Sequence, residues 1–380
     1  MRIKRSRRGQ SLAPLVLRIP TGNLSLGLRK DIPEYMVPPN GLIDCHNVWI
    51  NKRCLEVVDG WIPWEGRTTP VPDCQGPMAL VDELNLLSGT NIPIFGTAAD
   101  LYRRSAFGEL EFITPNYTTG TVTATNGSKT VTGSGTGWSS SNVVVGHRIT
   151  IQGGVWYTVA DIDYPTQTIT LDRNYEGTGG SGLSYEVRMT YRGVINTKWS
   201  AEVFKDHFLF IEPGTFLQEW DGNADHRATT VVQYSALGVF TFKERPIIYS
   251  TVEGGVNYQQ RIRWPDAGTY DSWTVQVGSE AGYMDLTETP DWIMAAARLS
   301  DYGVIYKERS IHMIAYVGLP YVFQRREIVS GVGLLGPKAL VNLGSEHIFM
   351  GPDNFYVFDG SDVERIGDPV WREVFDVMDP

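Results

Sequence analysis

The sequence predicts an all-β protein, and three observations predict it. Glycine and aromatic residues are abundant, with 40 Gly, 11 Trp, 18 Tyr and 14 Phe. Glycine serves tight turns, and aromatic rings suit pleated, half-buried surfaces. A short apolar hairpin recurs along the chain, clearest in Leu340 to Gly360 (LVNLGSEHIFMGPDNFYVFDG). Finally, residues 117–190 shift to Thr, Ser and Gly, with almost no helix-forming runs.

In chain order, residues 1–48 read as an N-terminal arm and extended segment, broken by Pro20, Pro33, Pro38 and Pro39. Leu55–Trp61 reads as a strand. Ala79–Leu87, Ile92–Phe95 and Asp100–Arg103 follow as a sheet of short strands. In 117–190, TVTATNGSKTVTGSG reads as strand, Asn126-Gly127 turn, strand. Arg148–Gln152, Val155–Ile162 and Thr168–Leu171 add further strands. This stretch is long enough for a small β-barrel or β-sandwich domain inserted into a loop of the main domain.

Beyond the insert the hairpins resume. Phe208–Ile211 pairs with Phe216–Trp220, and Pro246–Tyr249 with Arg261–Trp264. Val304–Lys307 turns at Glu308-Arg309 into Ile311–Tyr316, and His347–Met350 turns through Gly351–Asn354 into Phe355–Phe358. Their starts, at residues 208, 246, 304 and 347, are spaced by roughly 40–60 residues, close to the length of a propeller blade, about 40–50 residues. The fold expected is therefore a β-propeller of about five or six blades over 49–116 and 191–380, with 117–190 inserted. A β-sandwich with long loops is the competing architecture. Leu55–Trp61 is the expected closing strand, because ring closure satisfies two otherwise open sheet edges.

Composition excludes some functions. The net charge of −10 argues against the whole surface gripping nucleic acid. Met1–Arg8 opposes that trend with Arg2, Lys4, Arg5, Arg7 and Arg8. These read either as a solvated basic tail or as an arm for an acidic neighbour or DNA phosphate. No apolar run is long enough to span a bilayer, and the charged N-terminus lacks the core of a signal peptide. Cys45, Cys54 and Cys74 have no CxxC spacing, which argues against zinc ribbons and dense disulfide frameworks and leaves a single Cys45–Cys54 bridge open.

No catalytic motif emerges. HExxH, GxSxG and a Walker lysine loop are missing from the sequence. Gly331–Gly336 (GVGLLG) matches GxGxxG, but Pro337 follows and no βαβ pattern surrounds it, so it reads as a blade-linking turn. Pro265–Trp273 (PDAGTYDSW) faintly resembles the Asp-box turn of sialidase propellers, with the Trp at the wrong spacing. Asp285, Glu288 and Asp291 form a local carboxylate group that in principle suits acid/base hydrolysis and more often caps a turn. His312 and His347 lie in apolar strands, where a satisfied structural histidine is expected. No catalytic residue, cofactor or metal is assigned, and the chain is expected not to be an enzyme.

Three stretches carry a family resemblance: Arg261–Trp273 (RIRWPDAGTYDSW), Leu299–Gly318 (LSDYGVIYKERSIHMIAYVG) and Gly331–Gly367. Together with Asn40–Trp61, they make the chain resemble the tail nozzle or packaged-DNA stabilisation proteins of short-tailed bacteriophages. The resemblance covers most of the chain outside the insert. It implies a non-enzymatic virion protein, assembled in the host cytoplasm, whose propeller forms a homo-oligomeric ring of six copies below the portal and adaptor. Its partners would be those tail proteins, the tail fibres and double-stranded DNA in transit through the channel. An acidic subunit suits a conduit, since each phosphate contact adds drag. Many relatives continue beyond the equivalent of Asp379-Pro380, which leaves the blade count open. The alternative is a carbohydrate-binding or glycan-hydrolysing propeller serving as a host-receptor adhesin. Trp138, Trp156 and Tyr157 of the insert would then stack on sugar, unless Trp156 and Tyr157 divide between the two faces of one strand with at least one in the core.

Overall fold

The structure, a computed structural model, describes residues 78–376 except 98, 106–108 and 192–198, together with Ile19–Pro20, Pro33, Met36, Val48–Asn51 and Cys54–Val57. The chain divides into two compact units: Met1–Pro70 with Glu346–Pro380, and Val71–Ser345. Among the described residues it is all-β apart from 3-10 conformation at Met36 and Asp368–Val370 and a short helix at Trp371–Phe375. Among the described residues, no helix is long and apolar enough to cross a membrane.

The larger unit holds four antiparallel meanders of four strands each. Sheet I contains Met78–Asn85, Asn91–Thr97, Leu101–Arg104 and Leu110–Phe112. Sheet II contains Ser200–Phe204, His207–Ile211, Phe216–Trp220 and Thr229–Ser235. Sheet III contains Gly238–Phe242, Arg245–Glu253, Val256–Trp264 and Gly282–Asp285, and is joined to sheet II by the single pair Ser235–Val252. Sheet IV contains Ile293–Leu299, Tyr302–Lys307, Ser310–Gly318 and Val322–Ser330.

The sheets stack face to face in chain order, and strand His207–Ile211 shows why. Its run Phe208-Leu209-Phe210-Ile211 is wholly buried. Because side chains alternate across a strand, Phe208 and Phe210 pack with Leu84, Ile94 and Leu101 of sheet I, while Leu209 and Ile211 pack with Val239 and Ile248 of sheet III. Sheet III repeats the device: Ile248 faces sheet II, and Ile247 and Tyr249 join Ile305, Ile314 and Phe323 of sheet IV. A strand buried on both faces reads as a continuous apolar run, and these runs are the hairpin signals in the sequence. The first strands of all four sheets, with Leu340–Asn342, line one common cavity. Sequential four-stranded meanders stacked with their first strands around an axis are the blades of a β-propeller.

The inserted module runs between sheets I and II. Its eight strands form one antiparallel sheet, with Gly180–Leu183 at one edge and Asn116–Tyr117 at the other. Gly180–Leu183 is separated only by Ser184 from Tyr185–Arg188, which pairs with Asn116–Tyr117. One residue thus connects one edge strand to the strand beside the opposite edge, so the sheet is rolled into a barrel. Inside lie Val122, Val131, Ile149, Val159, Ile169 and Val187, all at most 1% exposed. The Asn126-Gly127 hairpin forms as expected, with Thr132 opposite Thr123. Gly127 takes the positive φ of 79° that the turn requires.

In the smaller unit, His347–Met350 and Phe355–Phe358 pair in the expected register, His347 opposite Phe358 and Met350 opposite Phe355, and Val363–Arg365 adds a third strand. Buried Asn354 organises the turn. Its Oδ1 accepts from the amides of Phe355 and Gly367, and its Nδ2 donates to Asp368. The expected closing strand needs correction. Cys54–Val57 is a strand, but Leu55 pairs with Ile19 on one side and Ile50 on the other. Both of its edges are already used, so it has none left to close a blade. Residues 58–61, Cys45 and Cys74 lie outside the described residues.

Candidate functional site

The axial cavity has a volume of about 490 Å³. Its wall is built from Leu80 and Asp82 of sheet I, Ser200 to Glu202 of sheet II, Val239 and Thr241 of sheet III, and Ala295 to Arg298 of sheet IV. Ser200 ties two of these strands together: its hydroxyl donates to the Val239 carbonyl at 2.9 Å and accepts from the Val239 amide at 2.9 Å. Small side chains on sheet IV leave the space open, and two carboxyls face into it. Burial pushes the Glu202 carboxyl up to about 7, and the nearby Asp82 charge adds to the rise. Asp82 is itself raised, by burial first and by Glu83 second among the upward effects. Sequence reasoning missed both residues. The available signal was an isolated acid in the otherwise uncharged strand Ser200–Phe204.

The carboxylate group Asp285, Glu288 and Asp291 does not converge on a common substrate position. Each is claimed by a different cation. Arg261 clamps Asp285 at 2.7 and 2.8 Å, Arg325 holds Glu288, and Lys307 reaches Asp291 at 3.0 Å. Burial pushes the Asp291 carboxyl up, but hydrogen bonds from Thr289, the Arg309 amide, Lys307 and Ser310 outweigh it and hold it at about 2. A glycosidase acid needs the opposite shift.

Around Asp291 lies a buried polar network. Lys307 is fully buried, and its Nζ donates to the carbonyls of Leu286 (3.0 Å) and Thr289 (2.7 Å) and to the Thr289 hydroxyl (2.7 Å). Ser310 lies 3.0 Å from Asp291 and 3.1 Å from His312 Nε2. The types match a Ser–His–Asp triad, but the roles do not. In a triad the carboxylate orients the imidazole through the nitrogen remote from the serine. Here Asp291 binds the serine itself, and His312 Nδ1 has no hydrogen-bond partner among the described residues. Burial, then the Lys307 charge, lowers the His312 pKa. The network's evident work is to fix the main chain of residues 286–291. His312 and His347 are both fully buried, as expected of structural histidines.

The candidate glycan contacts of the insert separate. Trp138 is 2% exposed and donates its indole N–H to Tyr185 Oη at 3.0 Å. Tyr157 is also 2% exposed, and its hydroxyl accepts from the Glu176 amide at 2.9 Å. Both are core residues with their polar handles engaged, which corrects their assignment as sugar-stacking residues. Trp156, on the other face of the same strand, is half-buried, with the Arg188 guanidinium 4.3 Å from its ring centroid. The two rings do divide between faces.

The Asp-box-like segment is structural. Asp266 accepts from the Ser272 and Ser279 hydroxyls and the Ala281 amide, and Trp273 is buried between sheets II and III. Gly331–Gly336 links Val322–Ser330 to Leu340–Asn342, as a blade-linking turn should. The basic residues Arg2, Lys4, Arg5, Arg7 and Arg8 lie outside the described residues.

No family model matches the chain, and no curated protein does. Several solved structures are similar to it at low identity. BamB from Moraxella catarrhalis is 13% identical over 72% of this chain and 82% of its own, with a TM-score of 0.31. The Pan2 WD40 domain from Neurospora crassa is 10% identical over 75% and 76%, with a TM-score of 0.30. The extracellular domain of a one-component system from B. thetaiotaomicron is 10% identical with a TM-score of 0.30, and this chain spans 33% of its length. Scores this low carry no argument. The fold rests on the strand topology and the stacking of the sheets.

Proposed function

We propose that this chain is a non-enzymatic structural subunit of a short-tailed phage particle, forming a ring in the tail nozzle or connector. The observation that carries this reading is the order of the resembling motifs along the blades. Arg261–Trp273 covers the end of the third strand of sheet III and its following loop, and Leu299–Gly318 spans the middle strands of sheet IV. The fixed pairing of Asp285, Glu288 and Asp291 supports a structural over a hydrolytic role. Homo-oligomerisation into six copies, contacts with portal, adaptor and tail fibres, and passage of DNA belong to the same proposal. Electron microscopy of the purified chain and of the particle tests it. A ring on the tail axis is the expected image. A protein that stays monomeric, alone and with purified tails, would refute the reading.

A further inference from the structure

We propose that a groove beside the third strand of sheet III binds a neutral saccharide. The groove encloses about 330 Å³, within the range of small-ligand pockets, and is lined by Asn257, Tyr258, Gln259, Asp285, Thr287 and Trp292. Three features carry the assignment.

The first is aromatic presentation. Trp292 is 50% exposed, an unusual state for a large apolar ring on a rigid segment. Its main chain is held from both sides, with its carbonyl accepting from the Glu308 amide at 3.1 Å and its amide facing the Glu308 carboxylate at 3.4 Å. Tyr258 also lines the groove, its ring oriented by the Arg261 guanidinium 3.7 Å from the centroid. Sugar rings offer apolar C–H faces that stack on such surfaces.

The second is charge. Asp285 and Arg261 neutralise each other at 2.7 and 2.8 Å. What remains for a ligand is amide, hydroxyl and the outer edge of a paired carboxylate. That chemistry suits a neutral, hydroxyl-rich molecule better than a free anion or cation.

The third is preorganisation. The loop carrying Thr287 and Trp292 has its carbonyls fixed from beneath. Gln260 donates to the carbonyls of Thr289 (2.8 Å) and Asp291 (3.0 Å), and Lys307 to those of Leu286 and Thr289. The buried network around Asp291 thereby acts as the support of a surface site. Weak sugar contacts give useful affinity only when the site is already ordered.

Saturation-transfer NMR on the full chain tests the assignment, with glucose, galactose, mannose, N-acetylglucosamine and their common disaccharides as probes, backed by an array of neutral glycans. The expected result is saturable binding of at least one neutral probe, with transfer concentrated on one C–H face of the sugar. Trp292→Ala should weaken it at least tenfold while leaving the melting temperature within about 2 °C. Asn257→Ala should weaken it without touching the aromatic rim. Three results would overturn the proposal: no saturable binding of any neutral probe, binding that survives both Trp292→Ala and Tyr258→Ala, or self-association dispersed by Trp292→Ala, which would give the groove to a second copy. The ring reading is tested separately by microscopy, so either can fail alone.

Discussion

One guanidinium nitrogen of Arg148, in the inserted barrel, lies 2.8 and 2.7 Å from the two carboxylate oxygens of Asp100, which immediately precedes strand Leu101–Arg104 of sheet I. Asp100 is fully buried, and the Arg148 side chain is 11% exposed. The contact is reinforced nearby, where Arg188 of the barrel lies over Phe112 of sheet I at 4.1 Å from the ring centroid. The insert is thus locked to its host sheet by a low-dielectric ion pair as well as by its two chain connections. Losing one partner of such a pair costs about 3–5 kcal/mol. Arg148→Met is therefore expected to lower stability by about that amount and to split one unfolding transition into two, barrel and propeller. The double variant with Asp100→Asn should recover part of the loss. Urea unfolding followed by near-UV circular dichroism reads both effects. A single, unshifted transition in Arg148→Met would show that the pair does not couple the modules.

Lys307 offers a second test of buried charge. It is fully buried and satisfied by Asp291, Thr289 and the Leu286 carbonyl. Lys307→Met retains the apolar stem and removes the ammonium. Asp291 then loses its counter-ion, the Leu286 carbonyl loses the ammonium donor, and the Thr289 carbonyl keeps only Gln260. The expected cost is about 3–5 kcal/mol in chemical denaturation. Asp291→Asn should cost less, since an amide still accepts from Ser310 and the Arg309 amide. If Lys307→Met cost under about 1 kcal/mol, the network would be dispensable to the loop it supports.

How far the sequence announced this structure depends on which faces a strand buries. Phe208–Ile211 and Val304–Lys307 sit in the middle of sheets buried on both sides, and their unbroken apolar runs were legible. Ser200–Phe204 lines the axial cavity on one side, and Val322–Ser330 carries Gln324, Arg325, Arg326 and Glu327, so neither stood out as a strand. The site was less legible. Asp285, Glu288 and Asp291 are neighbours in sequence, yet Arg261, Arg325 and Lys307 reach them across strand pairings that a linear reading does not contain. Trp138 lies outside any regular strand, so no alternation marked it as buried. Tyr157, within one, was partly anticipated.

Glu202 should make stability depend on pH. Its folded pKa of about 7 lies above the ordinary glutamate value of 4.5. Between those values the folded chain keeps a proton that the unfolded chain has released, so stability falls as pH rises through the window. The penalty is absent below the unfolded value and complete above the folded one. Its size is at most about 3 kcal/mol, and smaller because the carboxyl lines a cavity rather than a sealed core. Glu202→Gln is expected to flatten the profile between about pH 5 and pH 8 and to gain stability at the alkaline end. Parallel profiles for the two proteins would place the ionised carboxylate in ordinary solvent.

The glycines of Gly331–Gly336 separate a structural turn from a phosphate-binding loop. A Cβ at Gly333 would lie 2.4 Å from backbone atoms of Glu308 and Arg309, which have no flexible end to yield. Gly331 has open space but a φ of +84°, and Gly336 has open space without a positive φ. Alanine at Gly333 should therefore cost about 2–4 kcal/mol by overpacking, at Gly331 about 1 kcal/mol by backbone strain, and at Gly336 less than about 0.5 kcal/mol. A dinucleotide fingerprint gives a different pattern, because its third glycine is needed for close packing of helix on strand. Thermal denaturation of the three variants orders them. Equal losses at Gly333 and Gly336 would reopen the nucleotide reading, whereas a loss concentrated at Gly333 assigns the motif to the close passage of one chain segment over the Glu308-Arg309 turn.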